Sequence, residues 1–321
     1  MLRFDGRTAI VTGAGRGMGR THALLLAQRG ANVVVNDLGG AMDGTGADEG
    51  PAHHVVREIV DAGGSAVANT ASVATREGAQ SIVDTAIESF GGVDVLVNNA
   101  GILTAHKFPD TGVEDLDLNL SIHLVGTFNV TRAAWPHLVA SDAGRVVLTT
   151  SCALFGSPEL VAYGAAKGGL LGLARNLAAV GAEHGVKVNL VSPYARTRMA
   201  DPDLDVNKGA RADVNEAPAA EQDNVFARLY PELISPVVAF FAHESCPVNG
   251  EIYAAGGGRV ARIFMAETEG IADSRLTPEV LADRFQEVQD ETGYYVPADI
   301  TLYTTHFMER VPPAADAPLA S

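Results

Sequence analysis

Cysteine, lysine and clustered basic residues are all scarce in this 321-residue chain, and each scarcity closes off a class of protein. Two cysteines, Cys152 and Cys246, give no disulfide framework and suit a reducing compartment, here read as the cytoplasm. There are only four lysines, and no run of Lys and Arg builds the concentrated basic face that nucleic-acid binding needs. The formal net charge is −16 and the pI about 4.9, an acidity that reads as solubility. No apolar run approaches the length needed to span a bilayer. The opening "MLRFDGRTAIVTG" carries charge and runs straight into a strand, which predicts no signal peptide. The histidines are scattered without ligand spacing, so no metal site is expected.

What remains is an ordinary soluble globular composition, 47% apolar and 19% charged, in a chain long enough for one large core or two small domains. Strand and helix patterns alternate along it. "RTAIVTG", "ANVVVND", "SAVANTASV", "VDVLVNNAG", "GRVVLTTS" and "VKVNLVSP" read as strands. Helical spacing separates them, including one long helix over 113–138 and another after Tyr163. This rhythm predicts an α/β fold, a doubly wound parallel sheet with helices on both faces. Residues 1–258 are expected to form one domain. Residues 259–321 are expected to be a helical C-terminal extension packing on that domain or at a subunit interface. Thr277 caps a helix there with Pro278 at its first position, and about the last ten residues read as frayed. The polar stretch 200–224 breaks the rhythm, and two readings stay open for it: a cover over the substrate, or a plain surface loop.

Chemistry enters with "VTGAGRGMG", directly after the first strand and opening the first helix. Gly13, Gly17 and Gly19 let backbone approach a pyrophosphate, which the helix N-terminus attracts. Asp37 ends the second strand, 24 residues beyond Gly13. A carboxylate there accepts from a ribose 2′-hydroxyl and repels a 2′-phosphate, which favours NAD over NADP. Tyr163 and Lys167 stand four apart, one helical turn, in "AYGAAKGGLLGLARNLA".

"TGAGRGMG", "NNAG" at 98–101, Ser151 and "YGAAK" occur in the order and setting found in the short-chain dehydrogenase/reductase family, which the chain resembles. "VVVNDLGG", "GGSAVANTASV", "TRAAWPHL", "HESCPVNGEIY" and "LTPEVLADRFQEV" look like that family's (3R)-hydroxyacyl-CoA dehydrogenases. The resemblance implies a Rossmann-type fold with Tyr163 as general base. It also implies that Lys167 lowers the tyrosine's pKa and holds the nicotinamide ribose, and that Ser151 binds the substrate oxygen. Cofactor contacts are implied for Gly13, Arg16, Gly17, Met18, Gly19, Asp37, Ser72, Val73, Asn98 or Asn99, Ala100, Gly101, Tyr163, Lys167, Pro193 and Thr197. Gly126, Gly168 and Gly169 look like close-packing positions on helices that in this family build dimer and tetramer interfaces, so a homo-oligomer is expected.

The chain departs from the family pattern in four places. Ser151 stands one position nearer its tyrosine than is usual, with Thr150 as the competing serine-equivalent. His123 replaces a common Asn, either as a proton relay or as a satisfied interior histidine. Ala71 replaces an acidic residue near adenine, and Tyr194 replaces a glycine. The substrate implied is a (3R)-3-hydroxyacyl-CoA, whose phosphates would meet cations such as Arg196, Arg198, Lys208, Arg211, Arg259 or Arg262. The alternatives are a steroid alcohol or steroid-bearing thioester. A non-catalytic NAD sensor would need none of Ser151, Tyr163 and Lys167.

Overall fold

The computed structural model describes residues 1–41, 43–197 and 227–313. Eight strands form one sheet: β1 Thr8–Thr12, β2 Asn32–Asn36, β3 Ser65–Asn69, β4 Val95–Asn98, β5 Arg145–Thr149, β6 Lys187–Pro193, β7 Ile252–Gly256 and β8 Arg259–Ile263. Their order across the sheet is β3-β2-β1-β4-β5-β6-β7-β8. The pairings from β3 through β7 are all parallel, as the alternation predicts. Two residues join β7 to β8, too few for a parallel crossover, so this pair is a hairpin. That hairpin carries the first compact unit past residue 258, and the chain divides between Arg262 and Ile263.

Strand registers fix the geometry of the site. Thr12 is level with Asn36, and Asn36 with Asn69, while Thr149 faces Val191 and Pro193 faces Ala255. The carboxyl ends of β1 through β7 therefore open on one edge. Buried on both faces, the strands are nearly continuous Val, Ile and Leu. Ala9, Val11, Val33, Val35 and Val97 pack on one side with α1 (Gly17–Gln28), α2 (Gly50–Asp61) and the helix Ser235–Ala242. A buried hydroxyl chain ties that last helix to α1. His22 Nδ1 lies 2.8 Å from Ser235 Oγ, which donates to Thr21 Oγ1 at 2.9 Å. Burial lowers the His22 pKa to about 3, so the ring is uncharged. The opposite face carries α3 (Arg76–Phe90), Gly126–Ala140 and Val161–Ala182.

The long helix predicted over 113–138 is interrupted. An α-helix spans Val113–Asn119, a π-helical stretch covers Leu120–Val125, and α-helix resumes over Gly126–Ala140. A π-turn holds one residue more than an α-turn and is often found at functional sites. Here it carries His123.

In the second unit, Thr277 Oγ1 accepts from the Val280 amide at 3.3 Å and caps the short helix Pro278–Asp283. The pattern then breaks at Arg284 instead of running on. A helix over Ile300–Glu309, not anticipated from its sequence, is capped by Asp299. Tyr295 stacks on His306 at 3.9 Å. The stretch 200–224 and the tail from 314 lie outside the described residues.

Leu96 sits fully buried in β4, between β1 and β5. Leu96→Ala is expected to lower the unfolding free energy by about 2–5 kcal/mol. Urea titration followed by far-UV circular dichroism measures this, and a cost below about 1 kcal/mol would mean the sheet repacks around the cavity.

Candidate active site

The turn from β1 into α1 lines a cleft along the carboxyl edge of the sheet. Gly13, Arg16, Gly17, Met18, Gly19, Asp37, Ser72, Val73, Asn99, Ala100, Gly101 and Thr197 all face it. Pro193 ends β6 beside the cleft but is not among its lining residues. The segment after β2 also lines it, through Leu38, Gly40, Ala41 and Gly44, and sequence reasoning did not assign this stretch. Its glycine-rich "LGGAMDGTG" was the available signal.

Close backbone approach explains the glycines. A Cβ at Gly19 would lie 2.1 Å from the Gly13 carbonyl oxygen, and one at Gly13 would lie 2.7 Å from Ala100 Cα. Asn99 fixes the turn by donating from Nδ2 to the carbonyls of Thr12 and Gly13, both at 3.1 Å. Asn98 instead donates to Thr131 Oγ1 at 3.1 Å and is buried away from the cleft. Of the two asparagines, Asn99 therefore meets the turn.

Asp37 is held by two amides: Gly15 N donates to Oδ2 at 2.7 Å and Gly39 N to Oδ1 at 2.6 Å. Asn36 Nδ2 reaches the carbonyls of Asn69 and Ala71, pinning the β3 end that carries Ser72 and Val73. Arg16 reaches back to the carbonyls of Gly39 and Gly40 and pairs with Asp48 at 3.6 Å. These residues fit a dinucleotide. The first turn of α1 has no side-chain cap, so its amides point free. Asn99 Oδ1 is a buried acceptor without a partner, and Asp37 stands at the far end.

Four more residues converge on the end of β5. The helix Val161–Ala182 begins just before Tyr163, so Lys167 falls on the same face one turn on. Lys167 is buried, with Nζ donating to the Thr149 carbonyl at 2.7 Å and lying 5.7 Å from the Tyr163 ring centre. Thr150 turns away and donates its hydroxyl to the Lys167 carbonyl at 3.0 Å. Ser151 hydrogen-bonds Tyr163 and caps the short 3₁₀ helix Cys152–Phe155. Of the two candidates, Ser151 is thus the one beside the tyrosine. His123 meets Tyr163 edge-on, ring centres 5.2 Å apart.

Burial dominates the electrostatics here. It raises the Tyr163 pKa to about 12, opposed by the hydrogen bond from Ser151, which favours phenolate. Burial also lowers the Lys167 pKa to about 7. The lowering of the tyrosine by its lysine that the resemblance implies does not appear: burial dominates the shift, and desolvation suppresses the lysine's own charge. Burial, and then the charge of Lys167, hold His123 well below the ordinary histidine range. The ring is neutral, and its Nε2 meets the Ile102 backbone, 2.9 Å from the carbonyl and 3.3 Å from the amide. Nδ1 has no partner. His123 thus fastens the loop after β4 through Nε2 and leaves Nδ1 free beside Tyr163, an arrangement compatible with either reading of this residue.

The remaining assignments separate cleanly. A Cβ at Gly126 would lie 2.9 Å from Val73 Cγ2, and one at Gly169 would lie 2.8 Å from Leu124 Cδ2, so both glycines serve packing within the chain. Gly168 has more room. Arg262 is bidentate to Glu251 at 2.6 and 2.8 Å, and Arg196 and Arg259 are exposed. Arg198, Lys208 and Arg211 lie outside the described residues. Among the described residues there is no group of three potential metal ligands, and no helix is long and apolar enough to cross a membrane.

Residues 7–205 match the family described as short chain dehydrogenase. The chain is 44% identical over 290 residues to a short-chain type dehydrogenase/reductase of Mycobacterium tuberculosis, covering 89% of this chain and 95% of that one. A hydroxyacyl-CoA dehydrogenase of the same organism is 35% identical, over 81% of this chain and 80% of that protein. Peroxisomal multifunctional enzyme type 2 of Drosophila melanogaster is 42% identical over 90% of this chain. The full-length structure of that enzyme superposes with a TM-score of 0.76 and 33% identity, covering 96% of this chain and 50% of that one. The chain thus spans about half the length of that multifunctional enzyme.

The buried lysine makes stability depend on pH. With its folded pKa lowered from 10.5 to about 7, its contribution is present above pH 10.5 and lost as pH falls through about 7. Wild type is expected to gain stability over Lys167→Met between these limits, measured as urea unfolding free energies in a pH series. A constant difference across the window would show that the lysine titrates normally.

Proposed function

The chain belongs to the short-chain dehydrogenase family, and on that premise we propose that it is an NAD-dependent dehydrogenase of (3R)-3-hydroxyacyl-CoA thioesters, forming the 3-oxoacyl product in β-oxidation-type acyl degradation. The observation that carries the proposal is the meeting of Ser151, Tyr163 and Lys167 at the carboxyl end of β5, on the same side of the sheet as the dinucleotide cleft. The substrate class is supported by the hydroxyacyl-CoA dehydrogenase of M. tuberculosis, a relative similar over most of both chains.

Bound dinucleotide supplies the hydride acceptor for alcohol oxidation. The chain's own groups do the rest. The Ser151 hydroxyl holds the substrate oxygen, and Tyr163 Oη takes the hydroxyl proton. With a free-protein pKa near 12, this base becomes more available as pH rises. Lys167, anchored on Thr149 O beside the tyrosine ring, favours phenolate in its protonated form, which burial confines to pH below about 7 in the free protein. Neutral His123 meets the tyrosine ring edge-on and holds the Ile102 loop.

Asp37 argues for NAD. Its carboxylate is immobilised by Gly15 and Gly39 at the end of the cleft, where a 2′-phosphate would meet a fixed negative charge. Arg16, the cation best placed to answer such a phosphate, is already engaged by Asp48. Free thiols at Cys152 and Cys246 suit a reducing compartment such as the cytoplasm. Val125 and Phe128, exposed on the π-turn and the following helix, suit a homo-oligomer contact.

Formation of reduced dinucleotide with separate 3R and 3S thioesters, and with free and thioester-linked steroids, tests the reading. Turnover of the 3R thioesters alone is expected, and turnover of only the steroids would move the activity to steroid metabolism. Tyr163→Phe is expected to lower kcat by about 10²–10⁴ while dinucleotide binding persists. Asp37→Ala is expected to reduce the preference for NAD over NADP at least roughly tenfold, the cost of one lost charge repulsion. An unchanged preference would place cofactor choice elsewhere in the cleft.

A further inference from the structure

A ladder of polar contacts joins the loop after β4 to the helix that carries His123. Asp115, Asn119 and His123 recur every four residues, so they share one face of Val113–Asn119 and the π-turn that follows. They meet His106, Thr104 and Ile102, which recur every two residues in the opposite direction. His106 Nδ1 lies 3.0 Å from Asp115 Oδ2, Asn119 Nδ2 donates to Thr104 Oγ1 at 2.7 Å, and His123 Nε2 lies 2.9 Å from Ile102 O. Four residues of helix rise about 6 Å and two residues of extended chain about 6.6 Å, so the rungs stay in step. Residues 102–106 thus form a strap laid along the helix.

The middle rung is the least expected. Asn119 is fully buried, where an amide is costly unless it is hydrogen-bonded. Both its amide hydrogens are used, one on Thr104 and the other on Asp115 O at 2.8 Å. Its Oδ1 finds no donor among the described residues, so a polar side chain is kept here at some cost in stability. The outer rung is braced by the chain between strap and helix. Gly112 N donates to Asp115 Oδ2 at 3.2 Å, and Thr111 Oγ1 donates to His106 O at 2.8 Å.

Both ends of the strap reach Tyr163. At the far end, His106 forms a parallel bridge with Leu160, and Lys107 pairs with Glu159 at 3.7 Å. Leu160 is the N-cap of Val161–Ala182 and gives its first turn no side-chain hydrogen bond, so the backbone bridge holds that entry instead. At the near end, Ile102 is bound to His123, whose ring meets Tyr163 edge-on. A closed circuit therefore surrounds the tyrosine, running from helix face to strap, to Leu160, to Tyr163 and back through His123. Lys167 and Thr150 tie the next turn of this helix to β5, and the circuit ties its first.

We propose that Asn119, acting through Thr104, is a positioning residue for Tyr163: it holds the strap in register, and the strap holds both the start of the tyrosine's helix and the His123 ring against the phenol. Neither Asn119 nor Thr104 is among the residues lining the dinucleotide cleft. The inference rests on Tyr163 as the base and is independent of which alcohol is oxidised. Slippage of the strap leaves the dinucleotide site intact but misplaces the phenol, and proton transfer is sensitive to that placement.

Thr104→Val removes the hydroxyl at nearly constant shape, Thr104→Ser keeps it, and Asn119→Leu removes its partner. The test compares these, and the Thr104→Val/Asn119→Leu double variant, on whichever alcohol the wild type oxidises. Thr104→Val and Asn119→Leu are each expected to lower kcat roughly 10- to 100-fold, with KM and the dinucleotide Kd within about twofold. Thr104→Ser should stay within about twofold of wild type, and the double variant should be no slower than the slower single one, because both remove the same rung. On a Tyr163→Phe background, Thr104→Val should lower the residual rate no further. An unchanged kcat, additive losses in the double variant, or an equal loss on the Tyr163→Phe background overturns the positioning role. Full activity in Tyr163→Phe alone would instead sink the base reading, and the positioning role with it. Should Asn119→Leu lose its fold by circular dichroism, the contrast between Val and Ser at the partly exposed Thr104 decides the question.

Discussion

Parallel hydrogen bonding of β1 between β2 and β4 is the constraint on which the rest of the molecule depends. With the other parallel pairings it makes the chain leave the sheet at the same edge after every strand from β1 to β7. It also places the reversal of strand order between β1 and β4, where the helices lead off to opposite faces. The phosphate turn after β1, Asp37 after β2, Ser72 after β3, Asn99 after β4 and Ser151 after β5 come together for this reason alone. None of these residues is near another in sequence, and none needs a long loop to reach the cleft.

Burial then decides the chemistry available at that edge. Removing Lys167 and Tyr163 from water favours the neutral form of each, and so works against the charged pair on which the proposed proton abstraction depends. The structure offsets this with oriented dipoles: Thr149 O accepts from the ammonium, and Ser151 donates toward the phenol. His123 shows the opposite outcome. Its Nε2 meets backbone groups of Ile102 and its ring is dry, so it stays neutral beside a lysine that would otherwise repel an imidazolium. A π-turn is what aims that ring at both Tyr163 and Ile102, because the added residue rotates the helix face between Leu120 and Val125.

Much of this was legible in the sequence, where local chemistry and global fold demand the same residues. Apolar strands with glycine stops gave the sheet, and "TGAGRGMG" with Asp37 gave the cleft, because close backbone approach admits few substitutes. The features that stayed hidden depend on contacts between distant segments. Nothing in "LNLSIHLV" marks a π-turn, since its apolar spacing suits an uninterrupted helix. The role of Asn99 as against Asn98 depends on strand pleat, which points one at Thr12 and the other at Thr131. The helix Ile300–Glu309 has an Asp cap that could have been read, but no amphipathic stripe clear enough to draw attention to it.

The shortened spacing between Ser151 and Tyr163 shows why such a site tolerates change. Two bonds join β5 to the following helix without involving the loop between them: Lys167 Nζ to Thr149 O, and Thr150 Oγ1 to Lys167 O. They fix the height of Tyr163 above the strand end whatever the intervening chain does. The loop has only to return from Ser151 to Val161. It does so through a single 3₁₀ turn, whose rise per residue exceeds that of an α-turn, followed by Gly156 at φ +96°. Phe155 and Gly156 are exposed, so losing a residue there costs no core contact. The placement of Tyr163 and Lys167 is thus carried by the strand, the helix and the lysine between them, and the loop is free to vary.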